Sequence, residues 1–492
     1  METVHEIVLQ RGRVIDPETG LDAVRDVAVD GGAITAVAAG PLRGALAIDV
    51  AGLVVAPGFI DLHSHSQSLA GRRLQACDGV TTAFDLEAGR FPAAAAYTRE
   101  AADGSPINYG FSASWAAIRM QVVGGLQPDG SNEDTLRFLG DPRWQVAASP
   151  RQVARIIDDL AAQLADGAIG IGLLMGYAPG ADPAEYRAVA ELAARAGAAT
   201  FTHARDLIEA RPDTKVDGAE EIVLAAEQTG AHMHYCHVNS TSARHVDRVL
   251  DLVRRCRAAG GRVSTEAYPY GSGATAIGAA FLAPDRLGER GMTPRSLTYL
   301  ATGERVADAA RLEQLRATDP GGLVILDFLD EDDPADQATL RRSLTFDDAI
   351  IASDAMPLVR ASDTATNLET RWPLPPGLVT HPRTAGCFSR ALRLWRETGR
   401  TLPDVISRCT LLPARVLEAS APAMRRKGRV RQGADADLVV LDPERVTDQA
   451  TYAHSTRPSV GVRHLLVGGT FVIRDGSLLP EVRPGRPIRA ST

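Results

Sequence analysis

Pro57-Gly58-Phe59-Ile60-Asp61-Leu62-His63-Ser64-His65 is an apolar run that ends in two histidines separated by one residue. Alternate side chains of a strand share a face, so His63 and His65 aim at one point if the run is extended. Imidazole nitrogen is a strong ligand for zinc and its neighbours in the metal series. Further along, other apolar runs also end in ligand-type residues. Glu87 follows residues 81–86, His203 follows residues 199–202, His237 follows residues 232–236, and Asp354 follows residues 350–353.

Between these runs lie amphipathic helices. Val153, Ile156, Ile157, Leu160 and Leu164 share one face at helical spacing, with Ser149-Pro150 opening the helix and Gly167 closing it. Asp182-Pro183 starts another in the same way. Strand-like runs at 53–62, 81–86, 108–114, 168–174, 199–202, 232–236, 262–267 and 350–353 alternate with such helices, which predicts an α/β fold, a (β/α)8 TIM-like barrel. In such a barrel the carboxyl ends of the strands meet at one face, so His63, His65, Glu87, His203, His237 and Asp354 are expected to converge there as metal ligands.

Both ends of the chain read as short strands, at 7–14, 24–29 and 33–38, then at 437–441, 463–467 and 471–473. Asp30-Gly31-Gly32 and Gly468-Gly469 are hairpin signals. One small β-sandwich built from both termini is expected, dividing the chain into 1–55, 56–415 and 416–492. An insert at about 282–346 lacks βα rhythm, and its acidic run Asp330-Glu331-Asp332-Asp333 reads as a solvated loop.

With 492 residues, 45% hydrophobic and 23% charged, the chain is an ordinary globular protein, long enough for a large domain and a smaller one. A net charge of -8 without a long basic run argues against nucleic acid and for a small-molecule substrate. Met1 is followed by acidic and polar residues, and no apolar stretch reaches membrane-spanning length. Five irregularly spaced cysteines form no disulfide framework. The expectation is a cytoplasmic protein without membrane contact, its association into homo-oligomers left open.

His232 and His234 lie inside a strand run and read as core residues, while His5, His454 and His464 fall in the expected sandwich. The only lysines, Lys215 and Lys427, lie on no barrel strand, so a carboxylated lysine bridging two metals has no place and Glu87 is the natural anionic bridge.

At these residues the chain resembles the amidohydrolase superfamily, within it the D-aminoacylase group, and most closely its D-glutamate deacylase branch. The resemblance runs through Gly79-Val80-Thr81-Thr82, Asp85-Leu86-Glu87-Ala88-Gly89, Cys236-His237-Val238-Asn239-Ser240-Thr241-Ser242, Glu266-Ala267-Tyr268-Pro269-Tyr270-Gly271, Ala352-Ser353-Asp354-Ala355-Met356-Pro357, His381-Pro382-Arg383 and Gly433-Ala434-Asp435-Ala436-Asp437-Leu438. It implies a distorted barrel, metal ligands at His63, His65, His203 and His237, a catalytic Asp354, and one or two zinc ions or another divalent metal. It further implies that Arg383 contacts the substrate carboxylate and that Tyr268 or Tyr270 polarises the scissile carbonyl. In the better-known D-aminoacylases a cysteine stands at the position of Glu87 and a lysine at that of Asn239, which leaves open the metal count and how a carboxylate is held near Asn239. The implied activity is hydrolysis of N-acyl-D-amino acids, with N-acyl-D-glutamate foremost. For a γ-carboxylate, Arg119 and Arg205 are the candidate cations. Competing readings are a cyclic-amide hydrolase or dipeptidase on the same scaffold and, from another class, a catalytically silent binding barrel.

Overall fold

Eight parallel strands follow one another in a single sheet, in chain order: β1 (Phe59–Asp61), β2 (Val80–Arg90), β3 (Asn108–Ser114), β4 (Gly170–Leu174), β5 (Ala199–His203), β6 (His232–Tyr235), β7 (Arg262–Ala267) and β8 (Ile350–Ile351). This is a computed structural model, and it describes residues 4–360 and 371–491. The seam between β1 and β8 is closed by a bridge between Ser64 and Ala355, with the His65 N–H donating to the Ala355 carbonyl at 2.7 Å. Strands of three and two residues are too short for a full ladder, and a buried carboxylate completes the joint. Asp61 accepts from the Ser353 N–H at 3.0 Å and from its hydroxyl. This is the distortion that the resemblance implies.

The run at 53–62 is divided. Val54–Pro57 leaves the barrel and pairs with Val4–Asp16 and Leu438–Leu441, and only Phe59–Asp61 enters it. The run at 81–86 is longer than read: β2 continues to Arg90, and its register with β3 breaks between Asp85 and Arg90. Glu87 therefore stands inside an irregular stretch of strand, where a bulge re-aims a side chain.

A nine-stranded sheet draws on both ends of the chain, with Val4–Asp16 and Val54–Pro57 beside Leu438–Leu441 and Val462–Val467. Its apolar face holds Leu9, Val14, Val27, Val440 and Leu466. Buried Lys427 pairs with Asp437 and Asp435 at 2.5 and 3.0 Å, and Asn108 of β3 donates to Asp437 at 2.9 Å, which ties this sheet to the barrel.

The insert carries more order than its sequence suggests. Ser272–Ala276, Leu323–Asp327, Leu297–Tyr299 and Glu304–Arg305 form a four-stranded antiparallel sheet, flanked by helices Ala309–Thr318 and Pro334–Thr345. The acidic run is only partly a solvated loop: Asp333 caps the second helix, accepting from the Ala335 and Asp336 N–H groups, and Glu331 pairs with Arg390. The five cysteines are free and buried. Among the described residues no helix is long and apolar enough to cross a membrane.

Candidate metal centre

The carboxyl ends of the strands bring four histidines around one carboxylate. His63 Nε2 and His65 Nε2 lie 3.1 Å apart, and His203 Nδ1 and His237 Nε2 lie 3.2 Å apart. Glu87 reaches both pairs. Its Oε2 is 3.2 and 3.4 Å from His63 and His65, and its Oε1 is 3.1 and 2.7 Å from His203 and His237. Asp354 Oδ1 completes the first group, 3.5 Å from His63 Nε2 and 3.6 Å from His65 Nε2. The six expected ligands thus form two donor groups that share Glu87.

These separations suit metal ligands. Bonds of about 2.0–2.1 Å in a tetrahedron place neighbouring donor atoms roughly 3.3 Å apart. The chemistry of the set agrees, since imidazole and carboxylate donors suit zinc and related divalent ions. His63, His65 and Asp354 form one close donor group, with Glu87 Oε2 3.2 and 3.4 Å from its two histidines, and Glu87, His203 and His237 form the other. His237 and Asp354 adopt positive φ angles of 32° and 48°, a strained backbone that aims both side chains inward.

Behind the ligands stands a ring of partners. His63 Nδ1 meets Glu266 Oε1 at 2.5 Å, His65 Nδ1 meets Asp85 Oδ1 at 3.1 Å, and His237 Nδ1 meets Ser240 Oγ at 3.1 Å. Such contacts fix the ring orientation of a metal-binding histidine. Burial opposes the charged form of His65, yet Asp85 outweighs it and lifts the imidazole to about 9. Burial also works against ionised Glu87, but His63, His237 and His203 hold it well below the usual carboxylate range. Glu87, Asp354 and Glu266 around His63, and Asp85 beside His65, favour the charged form of these two rings against burial, so this part of the site is built for positive charge.

A cavity of about 780 Å³, its open mouth included, stands above the donors. Leu136, Leu139, Leu326 and Met356 make part of its wall apolar. Tyr268 lines it, and Arg383 lies directly behind, its guanidinium 4.5 Å from the Tyr268 ring centroid and 2.8 Å from Asp354 Oδ2. A Cβ built on Gly273 would stand 3.1 Å from the Tyr268 hydroxyl and 3.7 Å from Arg383 Nη1, so the missing side chain is what brings the cavity to both groups.

Other expected substrate contacts lie elsewhere. Asn239 donates to the carbonyls of Tyr268 and Tyr270 at 3.1 and 3.4 Å, so its amide holds the turn that presents Tyr268. Tyr270 lies under the Arg390 guanidinium and meets His381 edge-on, outside the cavity lining. Arg119 is fully buried against Glu185 at 2.7 Å, and Arg205 is spent on Glu221 at 2.7 Å beside a different cavity. A buried guanidinium committed to a buried carboxylate has no reason to turn toward ligand, which removes both as γ-carboxylate partners. Arg290 is the one arginine or lysine among the described residues that lines the cavity, packed over Phe281 and paired with Asp206. It lies in the insert, where no strand pattern pointed to the site. Glu266 and Tyr177 were also missed. Tyr177 lines the cavity with its ring 4.7 Å from His203 and its hydroxyl 2.8 Å from Thr275.

A parallel barrel with six convergent donors at the carboxyl ends of its strands defines a metal-dependent hydrolase scaffold, and comparison with known proteins gives the family. The amidohydrolase family profile matches residues 46–473, and the chain belongs to that family. It is 28% identical to the N-acyl-D-glutamate deacylase of Alcaligenes xylosoxydans xylosoxydans, across 99% of this chain and 97% of the relative. The D-aminoacylase of the same organism is 27% identical, over 95% of this chain and 94% of its own length. Among solved structures, the N-acyl-D-glutamate deacylase of Bordetella bronchiseptica, complexed with zinc and a phosphonate mimic of the tetrahedral intermediate, superposes with a TM-score of 0.75 at 25% identity, covering 99% of this chain and 100% of that one.

Proposed function

We propose that this chain hydrolyses the amide bond of N-acyl-D-amino acids, N-acyl-D-glutamate foremost, with one or two zinc ions held by His63, His65, Glu87, His203, His237 and Asp354. The observation that carries the reading is Glu87 facing two histidine pairs at 2.7–3.4 Å, beneath a cavity that Arg290 lines and Arg383 backs. The relatives' names support the substrate class and its handedness.

Zinc in such a site supplies water that is acidic at neutral pH and a Lewis acid for the carbonyl oxygen. Asp354 accepts the proton of the attacking water and returns it to the departing amine. The Tyr268 hydroxyl donates toward the developing oxyanion. Arg383 Nε and Nη1 are buried with no hydrogen-bond partner, and Nη1, the one nearest Gly273, offers an α-carboxylate a charged donor. Arg290 then meets the γ-carboxylate, and the apolar wall takes acyl or methylene carbons. Net charge and free buried cysteines support a cytoplasmic enzyme that acts on small molecules and not on nucleic acid.

The deciding experiment is a hydrolysis panel of N-acetyl-D- and N-acetyl-L-amino acids, with hydantoin and dihydroorotate alongside, using zinc-reconstituted protein. Turnover of N-acetyl-D-glutamate well above its L enantiomer is expected. Hydrolysis of the cyclic amides alone would replace this reading with that of a cyclic amidase.

A further inference from the structure

Glu266, on β7, holds parts of both donor groups from behind. Its Oε1 accepts from His63 Nδ1 at 2.5 Å and from the His237 backbone N–H at 3.3 Å. Its Oε2 meets His234 Nε2 at 2.9 Å. The line of contacts continues through the barrel interior, with His234 Nδ1 2.7 Å from Ser264 Oγ and Ser264 Oγ 2.9 Å from His232 Nε2. His234, Glu266 and His63 are all buried.

The protons of this chain have one consistent direction. An ionised carboxylate only accepts, so His234 donates from Nε2 and His63 from Nδ1. His234 Nδ1 then accepts from the Ser264 hydroxyl, and Ser264 in turn accepts from His232 Nε2. With Nδ1 holding its proton for Glu266, Nε2 on the side of His65, Glu87 and Asp354 is the His63 nitrogen left bare once a cation displaces its proton. That is the tautomer a cation needs.

We infer that Glu266, held by the His234–Ser264–His232 relay, is a positioning residue that sets the His63 tautomer and couples the two metal subsites through the His237 backbone. This rests on the metal-dependent reading above and adds to it a determinant of metal affinity that touches neither substrate nor the reacting atoms. Glutamine in place of Glu266 keeps the shape but has one acceptor and one donor end, so its amide N–H₂ must face either His63 or His234. Ser264→Ala acts three contacts away from His63 and leaves His234 Nδ1 without its donor, so that ring is held through Glu266 alone.

The test is zinc affinity, read by equilibrium competition with a chromophoric chelator, together with the melting curve of the metal-free protein. Glu266→Gln is expected to hold zinc about 10- to 100-fold less tightly, the range typical of outer-shell partners, with an unchanged metal-free melting curve. Ser264→Ala is expected to show a smaller loss of the same kind. Wild-type affinity in Glu266→Gln, or a loss matched by a collapse of the metal-free fold while Ser264→Ala binds zinc normally, overturns the inference. Wild-type protein that binds no zinc at all is a different result, since it removes the metal reading before any variant is compared.

Discussion

Arg383 Nη2 lies 2.8 Å from Asp354 Oδ2, while the other oxygen of Asp354 faces His63 and His65. One carboxylate is therefore shared between a fixed, fully buried cation and the place of an exchangeable one. The arginine holds Asp354 in its strained backbone conformation, with Oδ1 turned toward the nitrogens where water would be activated.

Asp354→Asn keeps the shape of this group but removes its capacity to take a proton. Turnover of the N-acyl-D-amino acid is expected to fall by about 10²- to 10⁴-fold, the usual contribution of a general base. Zinc content, measured by elemental analysis, should persist because His63, His65 and Glu87 remain. A variant that turns over at the wild-type rate would remove Asp354 from proton transfer.

Arg290 and Arg119 make opposite predictions. Arg290→Met should lower kcat/KM for N-acetyl-D-glutamate on the order of 100-fold, about 2.7 kcal/mol, and leave N-acetyl-D-methionine nearly unchanged. Arg119→Met should instead destabilise the fold by roughly 3–5 kcal/mol, because Glu185 is left buried without its cation. Equal losses on both substrates in Arg290→Met would show that the arginine does not read the side chain.

The candidate ligands are legible in the sequence because each follows a strand run, and a parallel barrel sends all such ends to one face. Glu266 is not, since it opens the Glu266-Ala267-Tyr268-Pro269-Tyr270 motif inside a strand run, with nothing to distinguish an inward carboxylate from an ordinary spacer. Arg119 and Arg205 read as candidate cations for a γ-carboxylate because a sequence cannot show that Glu185 and Glu221 reach them first. The insert was unreadable for another reason: strands such as Leu297–Tyr299 and Glu304–Arg305 are too short to display a period of two. The closing of the barrel by Asp61 and Ser353 likewise depends on a side chain that replaces a ladder.

Stability should depend on pH through Asp78, which lies away from the metal centre and accepts from the Phe388 and Ser389 N–H groups and the Ser459 hydroxyl. Burial lifts its carboxyl from 3.8 to about 7 against the pull of those donors. A raised folded-state value means that its contribution is fully present below pH 3.8 and is lost as pH rises through about 7. The full excursion is on the order of 4 kcal/mol. Asp78→Asn has a constant cost from the acceptor it gives up but no titration, so denaturant melts at pH 5 and pH 8.5, as about the ends of that window, should differ less for the variant than for wild type. Parallel losses in the two proteins would sink the assignment.

Gly176 tests the second donor group without touching a ligand. A Cβ built there would stand 2.6 Å from His203 Cδ2 and 2.7 Å from the Ala204 carbonyl oxygen. The backbone oxygen cannot yield cheaply, so Gly176→Ala must push the His203 ring away from Glu87, to which its Nδ1 now stands at 3.1 Å. The group of Glu87, His203 and His237 would drop to two donors, while His63, His65 and Asp354 keep theirs. Zinc retained after dialysis against chelator should therefore fall in Gly176→Ala, with the ion of the first group held longer. Gly288→Ala, where a Cβ meets nothing within 4 Å, serves as the control and should retain zinc as wild type does. If Gly176→Ala retains as much zinc as that control, His203 does not hold an ion in the geometry described.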